Sequence, residues 1–197
     1  LFDIESTAIR IFSDQNEAWI NREEKFIISG RNIADIKKSL DIETYLLNTG
    51  KTNNNVETIY YYIENADVTF TSNMQLLRIN DYKDEEWYFT YNDLKSQHDG
   101  STYTLSNKWI SNDSEIYYIY LLTPLGSNIN GAIIIKLNVD KVANAITETA
   151  GTRTYILDKT QNIVLKDKTA VKQGKRLDES LAEKVLQAKT TTGVFNV

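Results

Sequence analysis

The stretch from Glu115 to Asp140, EIYYIYLLTPLGSNINGAIIIKLNVD, constrains this chain more than any other part, because two apolar runs joined by a polar connection read as one β-hairpin. In the first run Ile116, Tyr118, Tyr120 and Leu122 alternate with Tyr117, Ile119 and Leu121, and the two-residue period of a strand sends each set to its own face. The connection from Thr123 to Gly131 holds the Pro, Gly and Asn residues that break a ladder and bend the chain. In the second run Ile133, Ile135, Leu137 and Val139 point one way, and Ala132, Ile134, Lys136 and Asn138 the other. The first of these faces is apolar throughout and the second turns polar towards its end. An antiparallel sheet shows that asymmetry when one face is buried and the other forms a partly wet pocket or surface. A helix follows directly, with Asn138 or Asp140 placed to cap Val142, Ala145 and Ile146.

Upstream, Ile4, Ala8, Ile11, Trp19 and Phe26 recur at helical spacings among charged residues, which predicts one amphipathic helix from Leu1 to Ile28. Gln15 and Arg22 fall on the same seam, so the pattern is not a clean coiled coil. Ser29-Gly30 fits a helix stop, and Asn32 caps a second helix through Ile33, Ile36 and Leu40. Asp41 starts a third short helix through Tyr45 and Leu46, ended by Asn48-Thr49-Gly50, and Lys51 to Asn55 is a loop. Period 2 then sets in from Val56 to Ile63, with Ile59, Tyr61 and Ile63 opposite Tyr60 and Tyr62. Glu64 to Asp67 is a turn, and Val68 to Thr71 the returning strand. Asn73 to Asn80 is a short helix or loop. Asp84 caps EEWYFTYNDLKS, in which Trp87 and Tyr91 share a helical face, and His98-Asp99-Gly100 turns into a strand over Ser101 to Ile110.

After a helix over Val139 to Thr149, Gly151 closes one unit and another begins: a strand Thr154 to Leu157, a turn, a strand Ile163 to Lys166, a helix marked by Leu177, Leu181, Val185 and Leu186, and a strand from Gly193. That order abbreviates the order of Val56 to Ile110, so the second unit reads as incomplete. A chain of 197 residues buries about 70% of its unfolded surface and needs no staples. With no cysteine it has no disulfide framework and no thiolate metal site, and its net charge of −5 disfavours a nucleic-acid groove. No run approaches the roughly 18 apolar residues of a membrane span. Leu1 opens in helical pattern and Val197 stops in strand pattern, so both ends read as cut from something longer.

A leading helix and an antiparallel sheet with helices between its strands resemble the Cache (PAS-like, extracytoplasmic) sensor domains of bacterial membrane receptors. IYYYIENADVTFTS, the WY of DEEWYF, GAIIIKLNVDKVANAI and TYILDKTQNIVL carry the resemblance. It is similar above all to the double-Cache outer regions of YesM-like sensor histidine kinases and membrane-anchored AraC-type regulators, over nearly the whole chain. The resemblance implies an α+β fold: a helical stalk over 1–50, a membrane-distal module over 51–150 and a partial membrane-proximal one over 151–197. It further implies flanking membrane spans, a place on the extracellular face of a bacterial plasma membrane, and a ligand held between the distal sheet and the WY segment. One branch of these domains clamps a free amino acid with an Arg two residues before that Trp and takes its amine with a downstream Asp. Here Glu85 stands at the Arg position, Arg78 does not match the spacing, and a carboxylate cannot replace a bidentate Arg clamp, so an amino-acid ligand of that type is not expected.

The rings of Tyr60, Tyr62, Trp87, Tyr88, Tyr91, Tyr103, Trp109, Tyr118 and Tyr120 suit a stacking pocket for a sugar or other small polar solute, although strands favour Tyr on their own account. The candidate ligand-binding set is Tyr60, Asp67, Trp87, Tyr88, Tyr103, Trp109, Tyr118 and Tyr120. Asp67, Asp81, Asp84, Glu85 and Glu86 lack the spacing and glycine of a calcium loop and read as helix-start acids, so neither a metal nor a cofactor is expected. His98 is the sole histidine and reads as a solvated turn residue; Gly126 and Gly131 are not followed by the Lys-Ser/Thr of a phosphate loop. The expectation is a sensing ectodomain of a two-component kinase receptor, without catalysis. Its alternatives are the ectodomain of an AraC-type regulator, a ligand-free homodimerising module pairing through the first helix, and a hydrolase with two facing carboxylates.

Overall fold

The hairpin sits near the centre of a six-stranded antiparallel sheet in a computed structural model that describes residues 4–15, 33–97, 107–111, 115–122, 130–144, 155–157, 163–166 and 169–170. The strands β1 (Val56–Ile63), β2 (Val68–Thr71), β3 (Leu76–Arg78), β4 (Asn107–Ser111), β5 (Ile116–Leu122) and β6 (Gly131–Leu137) lie in the order β3-β2-β1-β6-β5-β4. Helices α1 (Ile4–Gln15) and α2 (Ile33–Lys51) precede the sheet, α3 (Ile79–Tyr82) and α4 (Glu86–Gln97) lie between β3 and β4, and α5 (Val139–Asn144) follows β6. A second antiparallel sheet holds β7 (Tyr155–Leu157), β8 (Ile163–Lys166) and β9 (Thr169–Ala170). The architecture is α+β. No described helix is long and apolar enough to cross a membrane.

Strand parity decides which core each residue joins. Pairing of Tyr117 with Lys136 and of Leu122 with Gly131 puts Tyr118, Tyr120, Ile133 and Ile135 on one face. There they pack with Ile59, Tyr61 and Phe70 against Ile4, Ala8 and Ile11 of α1 and Ile42 and Leu46 of α2. Tyr62, Tyr117, Ile119, Leu121, Ala132 and Ile134 form the other face and meet Tyr82, Trp87 and Tyr91 of α3 and α4. Burying each Ile or Leu of these cores contributes about 1.5–3 kcal/mol. The expectation of one wet face is therefore corrected: β5 is buried at every residue, and β6 at all but Lys136, because α3 and α4 cover the second face.

Other expectations shift locally. The helix expected to stop at Asn48-Thr49-Gly50 runs on to Lys51 as one helix with the segment before it, since Ile42 and Leu46 hold it on the sheet. Gly50 faces Ile59 and Ser72, and a side chain there is accommodated at ordinary contact distance. Residues 73–80 contain an edge strand and the start of α3, where Asp81 accepts the Arg78 N–H at 2.7 Å. Of the two caps proposed for α5, Asn138 accepts the Lys141 N–H at 2.9 Å. Strands expected at 154–157 and 163–166 pair as β7 and β8. Residues 16–32 of the expected stalk, the first part of the strand from Ser101, and the elements after residue 170 lie outside the described residues.

Gly131 opens β6 where β1 passes closest. A Cβ there lies 2.2 Å from the Tyr62 carbonyl oxygen, so the backbone of β1 must shift to admit it. Gly131→Ala is expected to destabilise the protein by about 3 kcal/mol through overpacking, measured by urea unfolding. An unchanged midpoint shows that the strands separate there without cost.

Candidate functional site

The WY segment builds its side of the site because α4 places Trp87 and Tyr91 one turn apart, both aimed at the sheet. Tyr62, projecting from β1, is enclosed by rings: Tyr91 at 5.0 Å between centroids, Tyr82 at 5.6 Å, and Trp87 and Tyr88 each at 5.9 Å, all edge-on. Trp87 in turn has Tyr60 stacked on it at 6.0 Å and Tyr82 tilted against it at 5.3 Å. Each such pair adds about 0.5–1.5 kcal/mol beyond its area. The hydroxyl of Tyr82 faces Thr69 and that of Tyr91 faces Glu64, yet neither contact closes into a hydrogen bond of regular geometry, and both hydroxyls are buried with Thr69 Oγ1. At its C-terminal half α4 is tied down by Lys95, whose Nζ donates to both oxygens of Glu64, at 2.5 and 2.6 Å.

At the opposite end of the same face the surface becomes charged. Lys136 Nζ lies 2.7 Å from Glu115 Oε1 and 3.1 Å from Glu57 Oε1, and 5.9 Å from the centre of the Tyr117 ring. The Tyr117 hydroxyl donates to Glu115 Oε2 at 2.9 Å. Glu57 reaches this face because β1 is bulged: Val56 pairs with Leu137 and Thr58 with Lys136, so Glu57 is the extra residue and loses strict alternation. Burial pulls the Lys136 ammonium down, and the two carboxylates more than offset it, holding the group above the usual lysine range. Tyr60 is pushed up by burial, drawn back by Lys136, and pushed up again by Glu85, Glu57 and Glu115. Among the described residues no three His, Cys, Asp or Glu side chains converge as metal ligands.

Of the candidate residues, Tyr60, Trp87 and Tyr88 come together in this layer. Trp109, Tyr118 and Tyr120 do not: they belong to the opposite face, where Trp109 packs on Tyr118 at 5.0 Å and Tyr120 on Phe12 at 5.6 Å. The single stacking pocket is thus corrected by strand parity, because Tyr118 and Tyr120 share the side of Ile133 and Ile135. Asp67 is exposed at the β1–β2 turn in left-handed backbone, φ 49°, and Tyr103 lies outside the described residues. Residue type alone did not single out Tyr82, Tyr117, Lys136, Glu57 and Glu115 as parts of the layer. Hairpin register carries the signal for two of them, since it sets Tyr117 beside Lys136.

No family model matches the sequence, and no curated protein matches it significantly. Solved structures do. The sensory domain of the Campylobacter jejuni chemoreceptor Tlp3 (CcmL) superposes with a TM-score of 0.50 at 15% identity, covering 82% of this chain and 62% of that one. The same domain with isoleucine bound gives 0.51 at 14% identity, covering 94% and 70%. The Tlp3 ligand-binding domain in complex with 4-methylisoleucine gives 0.52 at 15% identity, covering 80% and 58%. The chain thus spans less than two thirds of the first of these domains. The likeness shows the fold alone, an α+β arrangement with a leading helix like that of these domains.

The enclosed phenols have a consequence in solution. Burial raises Tyr62, Tyr91 and Tyr117 above the usual phenol range and pushes Tyr82 up to about 12. A raised acid binds its proton more tightly folded than unfolded. The stability these groups contribute is complete below pH 10, their unperturbed value, and drains away as pH rises through the folded values. Unfolding free energy is expected to fall above pH 10 by up to about 1.4 kcal/mol per pH unit for each of them, with the Tyr82 part ending near 12. A flat profile above pH 10 places the hydroxyls in water.

Proposed function

We propose that this chain is the extracytoplasmic ligand-sensing part of a bacterial transmembrane receptor, of the two-component sensor-kinase kind, with its ligand on the sheet face beneath α3 and α4. The observation that carries the reading is the aromatic layer closing one face of a Cache-type sheet, with buried hydroxyls that lack regular hydrogen bonds. Such hydroxyls favour an occupant that hydrogen-bonds them. The neighbours of like fold include domains solved with isoleucine and with 4-methylisoleucine, which supports a small solute in this kind of domain. Glu85 in place of an Arg clamp turns the choice towards a sugar or another small polar solute. The module over 51–150 does the sensing, and the domain has no catalysis of its own.

Transmission follows from the sheet. β5 touches α4 on one face and α1 on the other, so a ligand that shifts α4 also shifts what α1 rests on. Signalling requires only that ligand favour one of two arrangements.

A thermal-shift screen against sugars, amino acids, small carboxylates and divalent ions is expected to give a concentration-dependent rise in Tm for one class. Trp87→Ala is a poor test of the site, since emptying this buried ring costs about 3–5 kcal/mol. Tyr60 is only half-buried. Tyr60→Leu is expected to keep the fold and weaken the ligand about tenfold. Unchanged affinity in that variant removes the ligand from this face, and a folded protein that responds to no solute removes the sensing reading.

A further inference from the structure

Resting on that reading, we infer that the bridge Glu57–Lys136–Glu115 makes the site reject ligands that carry a free carboxylate. An ammonium offers three donors and one charge. Here two carboxylates already hold it, at 2.7 and 3.1 Å, and Tyr117 fastens Glu115 from its other oxygen at 2.9 Å. A carboxylate ligand reaching Tyr60 from this end meets Glu57 and Glu115 against a single cation whose charge they already share. It must either displace one of the two glutamates or sit among like charges. Discrimination here comes from a repulsive element built into the site, as selective sites commonly use.

The bridge is also more than a way of keeping a lysine buried. Its carboxylates come from different strands, Glu57 through the bulge of β1 and Glu115 from just before β5, and they flank Lys136 of β6 from both sides. Each glutamate is partly open to solvent, with side-chain exposures of 44% and 34%, whereas Lys136 has 18%. An incoming solute therefore meets the acids before the base.

Three probes sharing one branched skeleton separate the charges: valine, isobutylamine with no carboxylate, and isovalerate with no amine. Binding is read by calorimetry on the whole chain, with a melting curve confirming each variant's fold. Wild type is expected to take neither valine nor isovalerate. Glu57→Gln with Glu115→Gln keeps side-chain size, frees Lys136, and is expected to strengthen isovalerate binding at least about tenfold. Adding Lys136→Met to that pair is expected to cancel the gain. The inference is overturned if wild type binds isovalerate as tightly as the double variant, if the double variant gains nothing, or if the gain survives Lys136→Met. If some other solute binds wild type while isovalerate fails these tests, the inference alone is lost. If no solute binds wild type at all, the sensing reading goes with it.

Discussion

Three adjacent strands, β1, β6 and β5, are covered on both faces, with Glu57 the exposed residue of β1, and most else in this molecule depends on that constraint. A strand covered on one side tolerates polar residues on the other; these strands have little such freedom. Slipping any of them by one residue exchanges its helix-side and aromatic-side residues, carrying Tyr118 and Ile135 under α4 and Tyr117 and Lys136 under α1. Two local features resist the slip. Gly131 admits the Tyr62 carbonyl where a side chain has no room, and the bulge at Glu57 absorbs an extra residue without moving Val56 and Ile59 off the helix side.

With both faces apolar, a charge can enter only at a strand end, and Lys136 is placed there. Its ion pairs bring little net stability, because removing partly buried charges from water offsets much of their attraction. They do set register: one lysine on β6 meets carboxylates from β1 and from the start of β5, an arrangement that a slipped strand breaks. The same contact that fixes the pairing also sets two carboxylates against one ammonium, so register and the electrostatics of this end of the sheet share one origin.

The hairpin and its alternation were legible, and so was the polar turn of one face at Lys136. Strand parity is a local property, read directly from residue order. What covered each face was not legible, since α3 and α4 come from a polar run in which Tyr82 has no periodic partner to mark it as core. Tyr118 and Tyr120 were grouped with Trp87 by residue type, although parity already assigned them to the side of Ile133. Glu57 was hidden for a different reason: a bulge breaks the rule by which its direction is read. Likewise Asn48-Thr49-Gly50 has the composition of a helix stop, and packing of Leu46 on the sheet overrides it.

The aromatic layer is held by opposing contributions of similar size. Its ring pairs each add about 0.5–1.5 kcal/mol, whereas a buried hydroxyl without a partner costs about 1–3 kcal/mol. Tyr82, which faces Thr69, and Tyr91, which faces Glu64, bring part of that cost to one layer, since neither contact has regular hydrogen-bond geometry. Packing of α3 and α4 on the sheet is therefore less favourable than the number of rings suggests, and the Lys95–Glu64 tie fastens α4 where that packing is partly offset. In the proposed sensing role, a layer so balanced would be displaced by modest binding energy from a solute that hydrogen-bonds these hydroxyls. Such a displacement would act on β5, whose opposite face carries Tyr118 and Tyr120 against the leading helix. In that role the two aromatic sets that parity separates would be the two ends of one short path through the thickness of a single sheet.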